Sequence, residues 1–203
     1  MRRVSSGITD LDGLLGGEFP IEPDIVLSGD EGDVYPLSLS LLWTQLQAGS
    51  SCLYGSTSRT SDDVQADLEA REWDASRFID TGTLRIVDIF SLVEDTLQST
   101  DERVQTLLSM KDDALLPERC YLVLLEGWVK VGWKPGRFVV ILDSIDTLIA
   151  LMGLEQTLRF KDMMTALVKD TSSVGISLLY NNYLSYDTVE TIRSTAGTFI
   201  ELT

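Results

Sequence analysis

The sequence predicts an α/β domain in three layers, in which helices cover both faces of a mostly parallel central sheet. Short apolar runs alternate with longer segments of helical periodicity along the chain, which is the pattern of strands joined by crossover helices. The run 137–142 is apolar without alternation, so we expect a strand buried on both faces at the middle of the sheet. A length of 203 residues suits one domain, which we expect to span 1–203.

Six strands are predicted from the apolar runs, and turn or capping residues mark where helices begin. The predicted strands cover 25–29, 51–54, 83–88, 137–142, 175–180 and 198–202. The predicted helices cover 36–48, 61–73, 99–128 with a break near Leu116 and Pro117, a stretch ending near Lys169, and 187–196. Pro36 suits the first position of a helix, and the Ser-Asp-Asp sequence at 61–63 suits a helix N-terminus.

The charge and hydropathy of the chain indicate which kinds of partner and which location to expect. There are 32 acidic and 16 basic residues, with a formal net charge of −16, so we expect neither a nucleic-acid nor a membrane partner. The longest apolar run, 138–151, contains Asp143 and Asp146 and cannot cross a bilayer. The first residues carry no secretory apolar stretch, so we expect a cytoplasmic protein. An acid-rich, lysine-poor composition is also typical of a very salty cytoplasm, such as that of a halophilic archaeon.

The histidine and cysteine content excludes two kinds of site. The chain has no histidine and two cysteines, Cys52 and Cys120. We therefore expect neither a structural zinc site nor a Ser-His or Cys-His nucleophile. Each cysteine stands in an apolar run, where a free thiol packs as a small core side chain.

Three stretches, in this order, resemble a known family. The stretch 5–17 reads SSGITDLDGLLGG, the strand 25–29 is followed by a helix, and 138–144 reads FVVILDS. They are similar to the opening motif, the position of the phosphate-binding P-loop and the Walker B strand of the KaiC-like branch of the RecA superfamily. The resemblance covers nearly the whole chain and implies a RecA-like fold.

The P-loop position departs from the pattern that holds ATP. A working loop needs glycines that let backbone N–H groups wrap the phosphates, a lysine for the outer phosphates and a Ser or Thr hydroxyl for Mg²⁺. Aligned on Gly29, this stretch reads GDEGDVYP and includes Gly32. Val34, Tyr35 and Pro36 stand where the family has the last glycine, the lysine and the hydroxyl. The resemblance therefore implies a degenerate loop.

Acidic residues stand near the place of the missing cation. A carboxylate about 6 Å from a polyphosphate opposes its binding by roughly 3 kcal/mol at an effective dielectric constant of about 20. Asp30, Glu31 and Asp33 all lie in this stretch. We expect them to stabilise the N-terminus of the following helix and to occupy the anion site themselves. The alternative is an unusual nucleotide or anion site.

Two further positions bear on catalysis. The family usually carries two glutamates after the second strand, and Ser58 and Arg59 stand there instead, neither of which can act as a carboxylate base. We expect Arg59 to be solvated, with anion binding as the alternative. Asp143, followed by Ser144, matches the family's Mg²⁺-associated carboxylate, or else accepts hydrogen bonds at the strand end or caps the next helix. The Tyr-Asn-Asn sequence at 180–182 matches either the family's sensor position or a turn.

These departures predict a non-catalytic KaiC/RecA-like pseudo-ATPase that needs no cofactor and acts as a regulatory or scaffolding protein. Since relatives assemble into rings or filaments, we expect RecA/KaiC-like subunits as partners in a homo- or hetero-oligomer. Trp128, Val131, Trp133 and Pro135 belong either to the core or to a contact patch. The alternative function is a divergent ATP-binding ATPase that holds ATP and Mg²⁺ through backbone amides alone. DNA binding in recombination is a third, which the negative charge disfavours.

Overall fold

The computed structural model describes residues 3–4, 8–14, 19–20, 24–89, 116–131 and 137–203. A short antiparallel pair, β1 (Arg3–Val4) and β2 (Phe19–Pro20), flanks helix α1 (Thr9–Leu14) in the sequence. The main sheet contains β3 (Ile25–Gly29), β4 (Ser51–Ser56), β5 (Leu84–Asp88), β6 (Phe138–Asp143), β7 (Val174–Tyr180) and β8 (Thr198–Glu201). These six strands are parallel and lie in the order β5-β4-β6-β7-β3-β8.

Helices connect successive strands of this sheet. They are α2 (Glu31–Gln47), α3 (Ser61–Glu69), α4 (Ser76–Asp80), α5 (Leu116–Lys130), α6 (Ile145–Asp170) and α7 (Tyr186–Thr195), with a 3-10 turn at Asn181–Tyr183. Thr60 caps α3, because its hydroxyl accepts a hydrogen bond from the backbone N–H of Asp63 while the Asp63 carboxylate accepts one from the backbone N–H of Thr60. Helix α6 bends at Gly153, where φ is 80°.

The structure confirms the predicted three-layer α/β fold with a parallel sheet. Each of the six predicted strands is present, with boundaries within two residues of those predicted. Strand β6 lies between β4 and β7 and all its residues are buried, as its unbroken apolar sequence predicts. Of the predicted helix 99–128, the part before 116 lies outside the described residues.

Alternate residues of the central strands contribute to two separate cores. On one face, Tyr54 and Ile141 pack in a cluster with Leu39 of α2. On the other face, Leu53 and Val140 pack in a cluster that includes side chains of α5 and α6. The alternation of side chains along each strand therefore accounts for helices on both faces.

Helix α5 approaches the sheet closely because it carries a glycine at the contact. A Cβ atom on Gly127 would lie 2.7 Å from Val87 Cγ2 and 3.0 Å from Leu53 Cδ1. The next residue, Trp128, is 3% exposed, and its ring centroid lies 4.2 Å from that of Phe138. Trp128 is therefore a core residue and not part of a contact patch.

Other predictions about buried side chains are confirmed or fall outside the described residues. Cys52 and Cys120 are both buried free thiols, and burial raises the pKa of Cys120 to about 11. Val131 is buried as well, whereas Trp133 and Pro135 lie outside the described residues. Within the described ranges, no helix has the length and apolar character needed to span a bilayer.

Candidate functional site

The carboxyl edge of the sheet brings together residues that are far apart in the sequence. Gly29 at the end of β3 pairs in register with Tyr180 at the end of β7, and Ser56 at the end of β4 pairs with Asp143 at the end of β6. Ligand sites of open α/β sheets lie at this edge. The sequence-predicted positions Gly29 and Asp143 therefore lie on the same edge of the molecule.

Helix α2 begins immediately after β3. Asp30 is its N-cap residue, with extended backbone angles (φ −66°, ψ 143°), and the helix runs from Glu31. The Asp30 carbonyl accepts hydrogen bonds from the backbone N–H groups of Asp33 at 3.0 Å and Val34 at 2.9 Å. The positions Gly32, Val34, Tyr35 and Pro36 are consequently all helical residues.

The prediction that Pro36 is the first helical residue is wrong, because Pro36 lies inside α2. Pro36 has no N–H, so the helix lacks one hydrogen bond there. The two side chains before it are packed in the core. Val34 is fully buried and Tyr35 nearly so. A Cβ atom on Gly29 would lie 3.0 Å from Leu202 O and 3.2 Å from Val34 Cγ2, so Gly29 permits this close packing.

The Asp143 carboxylate is completely buried and bound by three protein donors. Its Oδ1 accepts a hydrogen bond from the Tyr180 hydroxyl at 2.6 Å. Its Oδ2 accepts hydrogen bonds from the Tyr54 hydroxyl at 2.8 Å and from Arg59 Nη1 at 3.1 Å. Burial raises the pKa of Asp143, and the bonds from Tyr180, Arg59 and Tyr54 oppose that rise.

The guanidinium of Arg59 is the centre of this cluster. It pairs with both Asp143 and Glu31, and its Cζ lies 3.8 Å from the centroid of the Tyr35 ring. Burial lowers the pKa of Arg59, but the nearby charge of Asp143 and those of other acidic groups outweigh burial and raise it overall. Arg59 therefore stays cationic. The expectation of a solvated Arg59 is wrong, since its side chain is only 19% exposed.

The short turn after β4 holds Arg59 over the sheet edge. Thr57 N–H donates to the Asp143 carbonyl at 2.6 Å, and the backbone N–H of Ser144 donates to Thr57 Oγ1 at 2.8 Å. The Arg59 N–H donates to Ser56 Oγ at 2.9 Å. These bonds tie the turn to the end of β6, and the Arg59 side chain reaches from this turn to Asp143.

The three tyrosines of the site were not singled out as its ligands by sequence reasoning. Burial raises the pKa values of Tyr35, Tyr54 and Tyr180, so all three remain protonated donors. The Tyr35 hydroxyl donates to Asp67 Oδ2 at 2.7 Å, while the other two donate to Asp143. One signal was available, because Tyr54 and Tyr180 each stand near the end of a predicted strand on the same edge as Asp143.

The region after β7 is a turn with a tie to α6. Asn181–Tyr183 form a 3-10 turn, as one of the two alternatives for this stretch predicts. The backbone N–H of Tyr180 donates to Asp146 Oδ1 at 3.0 Å, and burial raises the pKa of Asp146.

Ser144 precedes α6 without capping it through its side chain, and its hydroxyl lies 3.1 Å from that of Thr147. Within the described residues, no cluster of acidic and cysteine side chains is suited to hold a metal ion.

Comparison with known sequences assigns the family. The family model described as KaiC ATPase matches residues 4–118, which is more than half of the chain. The chain therefore belongs to the KaiC family of ATPases.

Two curated relatives match a shorter region. A UPF0273 protein of Pyrococcus furiosus is 29% identical over 92 residues, which are 45% of this chain and 37% of that protein. A UPF0273 protein of Thermotoga maritima is 28% identical over 92 residues, which are 45% of this chain and 38% of that protein. The matched region thus spans less than two fifths of the length of either relative.

Solved structures share the fold over nearly the whole chain. The KaiC-like protein PH0186 from Pyrococcus horikoshii is 18% identical, with a TM-score of 0.67, and the match covers 99% of this chain and 80% of that one. The flagellar accessory protein FlaH from Methanocaldococcus jannaschii is 21% identical, with a TM-score of 0.62, and the match covers 98% of this chain and 79% of that one. These likenesses establish a RecA-like fold.

Proposed function

We propose that this KaiC-family domain does not hydrolyse ATP and acts as a regulatory or scaffolding protein through contacts with other KaiC/RecA-like subunits. The observation that carries the proposal is the bond between Arg59 and Asp143. A protein cation occupies the carboxylate that would otherwise help to hold Mg²⁺. The domain keeps the fold of an ATPase, and the guanidinium of Arg59 takes the place of the metal ion beside Asp143.

The bonding of Asp143 supports this interpretation. An ionised carboxylate offers about four lone-pair positions, and three protein donors use this one while no part of it is exposed. Mg²⁺ requires near-octahedral oxygen ligands and usually keeps several waters. To bind here, the ion would have to displace Arg59, whose charge would then lose Asp143 as a partner.

The start of α2 supports it as well. Tyr35, at the position of the family's lysine, is helical and binds Asp67 instead of facing an anion. Glu31 and Asp33 lie in the first turn of α2, with Asp30 just before them. At about 6 Å each carboxylate opposes a phosphate charge by roughly 3 kcal/mol, so the helix N-terminus favours its own acids over a polyphosphate.

A divergent ATP-binding ATPase is the second candidate. It is favoured by membership of the KaiC ATPase family and by the exposure of residues 30–33 at the helix N-terminus. In that case backbone amides alone would hold the phosphates. This function requires the Arg59–Asp143 contact to open, and that requirement separates it from the first.

A phosphate-release assay tests the catalytic part of the proposal. The purified chain is incubated with Mg-ATP, with Asp143→Asn as the matched variant and a buffer blank as reference. We expect the chain and the variant to release phosphate at the rate of the blank. Turnover by the natural chain that Asp143→Asn abolishes would establish the second candidate instead.

A further inference from the structure

Two tyrosines on the carboxyl edge are among the most exposed large side chains of the described residues. Tyr183 is 90% exposed and Tyr186 is 77% exposed. Between them, Leu184 packs against the core, and Ser185 caps α7 by accepting a hydrogen bond from Thr188 N–H at 3.2 Å. The exposed rings therefore stand on a turn anchored on both sides.

Acidic residues stand at the starts of the two helices that leave this part of the sheet edge. Because Gly29 pairs in register with Tyr180, the residues that follow them leave the sheet side by side. Asp30 and Asp33 lie at the start of α2, and Asp187 lies in the first turn of α7. Within the described residues these three carboxylates form no ion pair. We call Tyr183, Tyr186 and these three aspartates the tyrosine face.

Two arginines of the described residues already bind carboxylates of this chain. Arg59 pairs with Glu31 and Asp143, and Arg193 pairs with Glu190 and Glu201. The face thus combines free carboxylates with open aromatic rings. A cation is the group that both features attract, since the faces of tyrosine rings bind guanidinium groups.

The chain itself uses this type of contact elsewhere. The guanidinium of Arg59 lies 3.8 Å from the centroid of the Tyr35 ring, and that of Arg193 lies 4.2 Å from the centroid of the Phe199 ring. In both cases the same guanidinium also binds carboxylates. Within the part of the chain that the structure describes, the tyrosine face offers the same pair of acceptors without an arginine.

We infer that the tyrosine face docks an arginine-rich segment of a partner protein, whose guanidinium groups stack on Tyr183 and Tyr186 while the aspartates neutralise their charge. A second copy of this chain does not fit, because both copies carry a net charge of −16 and would place like charges together. The inference rests on the proposed function, since it assigns to a protein the edge that a nucleotide would otherwise use.

Peptide binding tests the inference. The probe is a fluorescent 12-residue peptide of alternating Arg and Gly, and its affinity is measured by anisotropy at low and at moderate salt. Two exposed cation–π contacts predict a loss of about fivefold or more in Tyr183→Ser/Tyr186→Ser. The matched control is Leu122→Ser/Val129→Ser on α5, whose side chains are 60% and 73% exposed, and its affinity should stay within about twofold.

Charge variants complete the comparison. Asp30→Asn/Asp33→Asn should lower the affinity for the peptide. Asp80→Asn/Asp170→Asn at the amino edge should lower it less, although each double variant removes two charges. Equal losses in the two charge variants, or no loss in the tyrosine variant, would overturn the inference. Self-association of the natural chain that depends on Tyr183 and Tyr186 would overturn it too. Circular dichroism confirms that each variant is folded.

Titration with Mg-ATP in the same experiment separates this inference from the proposed function. Saturable binding of Mg-ATP, measured by calorimetry without the peptide, would contradict the proposed function. The tyrosine face is judged by the peptide data alone, because Tyr183 and Tyr186 are not among the side chains that bind Asp143 or Arg59.

Discussion

Arg59 Nη1 lies 3.1 Å from Asp143 Oδ2, although 84 residues separate the two in the sequence. The contact joins the turn after β4 to the end of the central strand β6. It places a permanent cation on the buried carboxylate that the sequence resemblance matches to the family's Mg²⁺-associated residue. The proposed function depends on this contact more than on any other.

Replacing Arg59 should therefore destabilise the fold. Arg59→Ala leaves the Asp143 carboxylate buried without its cation, and breaking a pair of this kind costs about 3 kcal/mol. Urea unfolding at pH 7 measures the loss in the free energy of unfolding. Arg59→Ala/Asp143→Asn should recover a large part of it, because the double variant removes the unpaired charge.

Arg193→Ala is the matched control for that experiment. Arg193 also binds two carboxylates and lies over an aromatic ring, but its ion pairs are on the surface. Surface pairs contribute little in water, so the loss should be much smaller than for Arg59→Ala. Equal losses would mean that burial of Asp143 does not decide the strength of its contact.

Asp143 should also leave a signature in the pH dependence of stability. Burial raises its folded pKa above 3.8, so the native state binds a proton more tightly than the unfolded chain does. The stability linked to this proton is present below pH 3.8 and is lost as the pH rises through the folded pKa. Asp143→Asn should therefore have a lower free energy of unfolding than the natural chain, with the smallest difference at neutral pH and the largest in acid. Urea unfolding at several pH values measures this difference. If the difference in the free energy of unfolding between the two proteins shrank as the pH fell, the raised pKa of Asp143 would be contradicted.

A glycine substitution tests whether the P-loop position is helical. Gly32 lies inside α2 and a Cβ atom there would meet no atom within 4 Å. Gly32→Ala should raise the free energy of unfolding by about 0.5–1 kcal/mol, since alanine is the better helix former. Gly29→Ala is the matched control and should destabilise, because its Cβ would lie 3.0 Å from Leu202 O. Destabilisation by Gly32→Ala would indicate a loop in place of the first turn.

A second buried ion pair fixes the opposite edge of the sheet. Lys161 of α6 binds Asp24, which precedes β3, and both side chains are almost fully buried. Lys161→Met should cost about 3 kcal/mol, because the buried Asp24 carboxylate would lose its cation and keep only the bond from the backbone N–H of Gly197 at 3.3 Å. Lys130→Met, which breaks an exposed pair with Glu126, should change the urea midpoint little. A small loss for Lys161→Met would mean that water reaches Asp24 in the folded state.

Local sequence patterns were sufficient to predict the fold. Runs such as 138–143 are apolar because both faces of the strand are covered, and burial of that kind is visible in the sequence itself. The start of α2 was missed because Pro36 suits a first helical position, whereas buried Val34 and Tyr35 extend the helix back to Glu31. The structure of that turn depends on contacts with the rest of the core.

The site was harder to predict because its key contacts are long-range. The sequence places Asp143, Tyr54 and Tyr180 near the ends of predicted strands, but it does not show that the two hydroxyls and Arg59 bind the Asp143 carboxylate. These donors come from strands and a turn that meet only through the sheet order. A surface arginine and a buried one look alike in a single sequence, which explains the wrong expectation for Arg59.

Calorimetric titration of the natural chain with Mg-ATP shows whether the domain binds this nucleotide. Because Arg59 binds Asp143 and acidic residues stand at the start of α2, we expect no saturable heat and a Kd weaker than about 1 mM. Asp143→Ala is titrated in parallel. A micromolar Kd for the natural chain that Asp143→Ala abolishes would establish an ATP-binding site and contradict the proposed function.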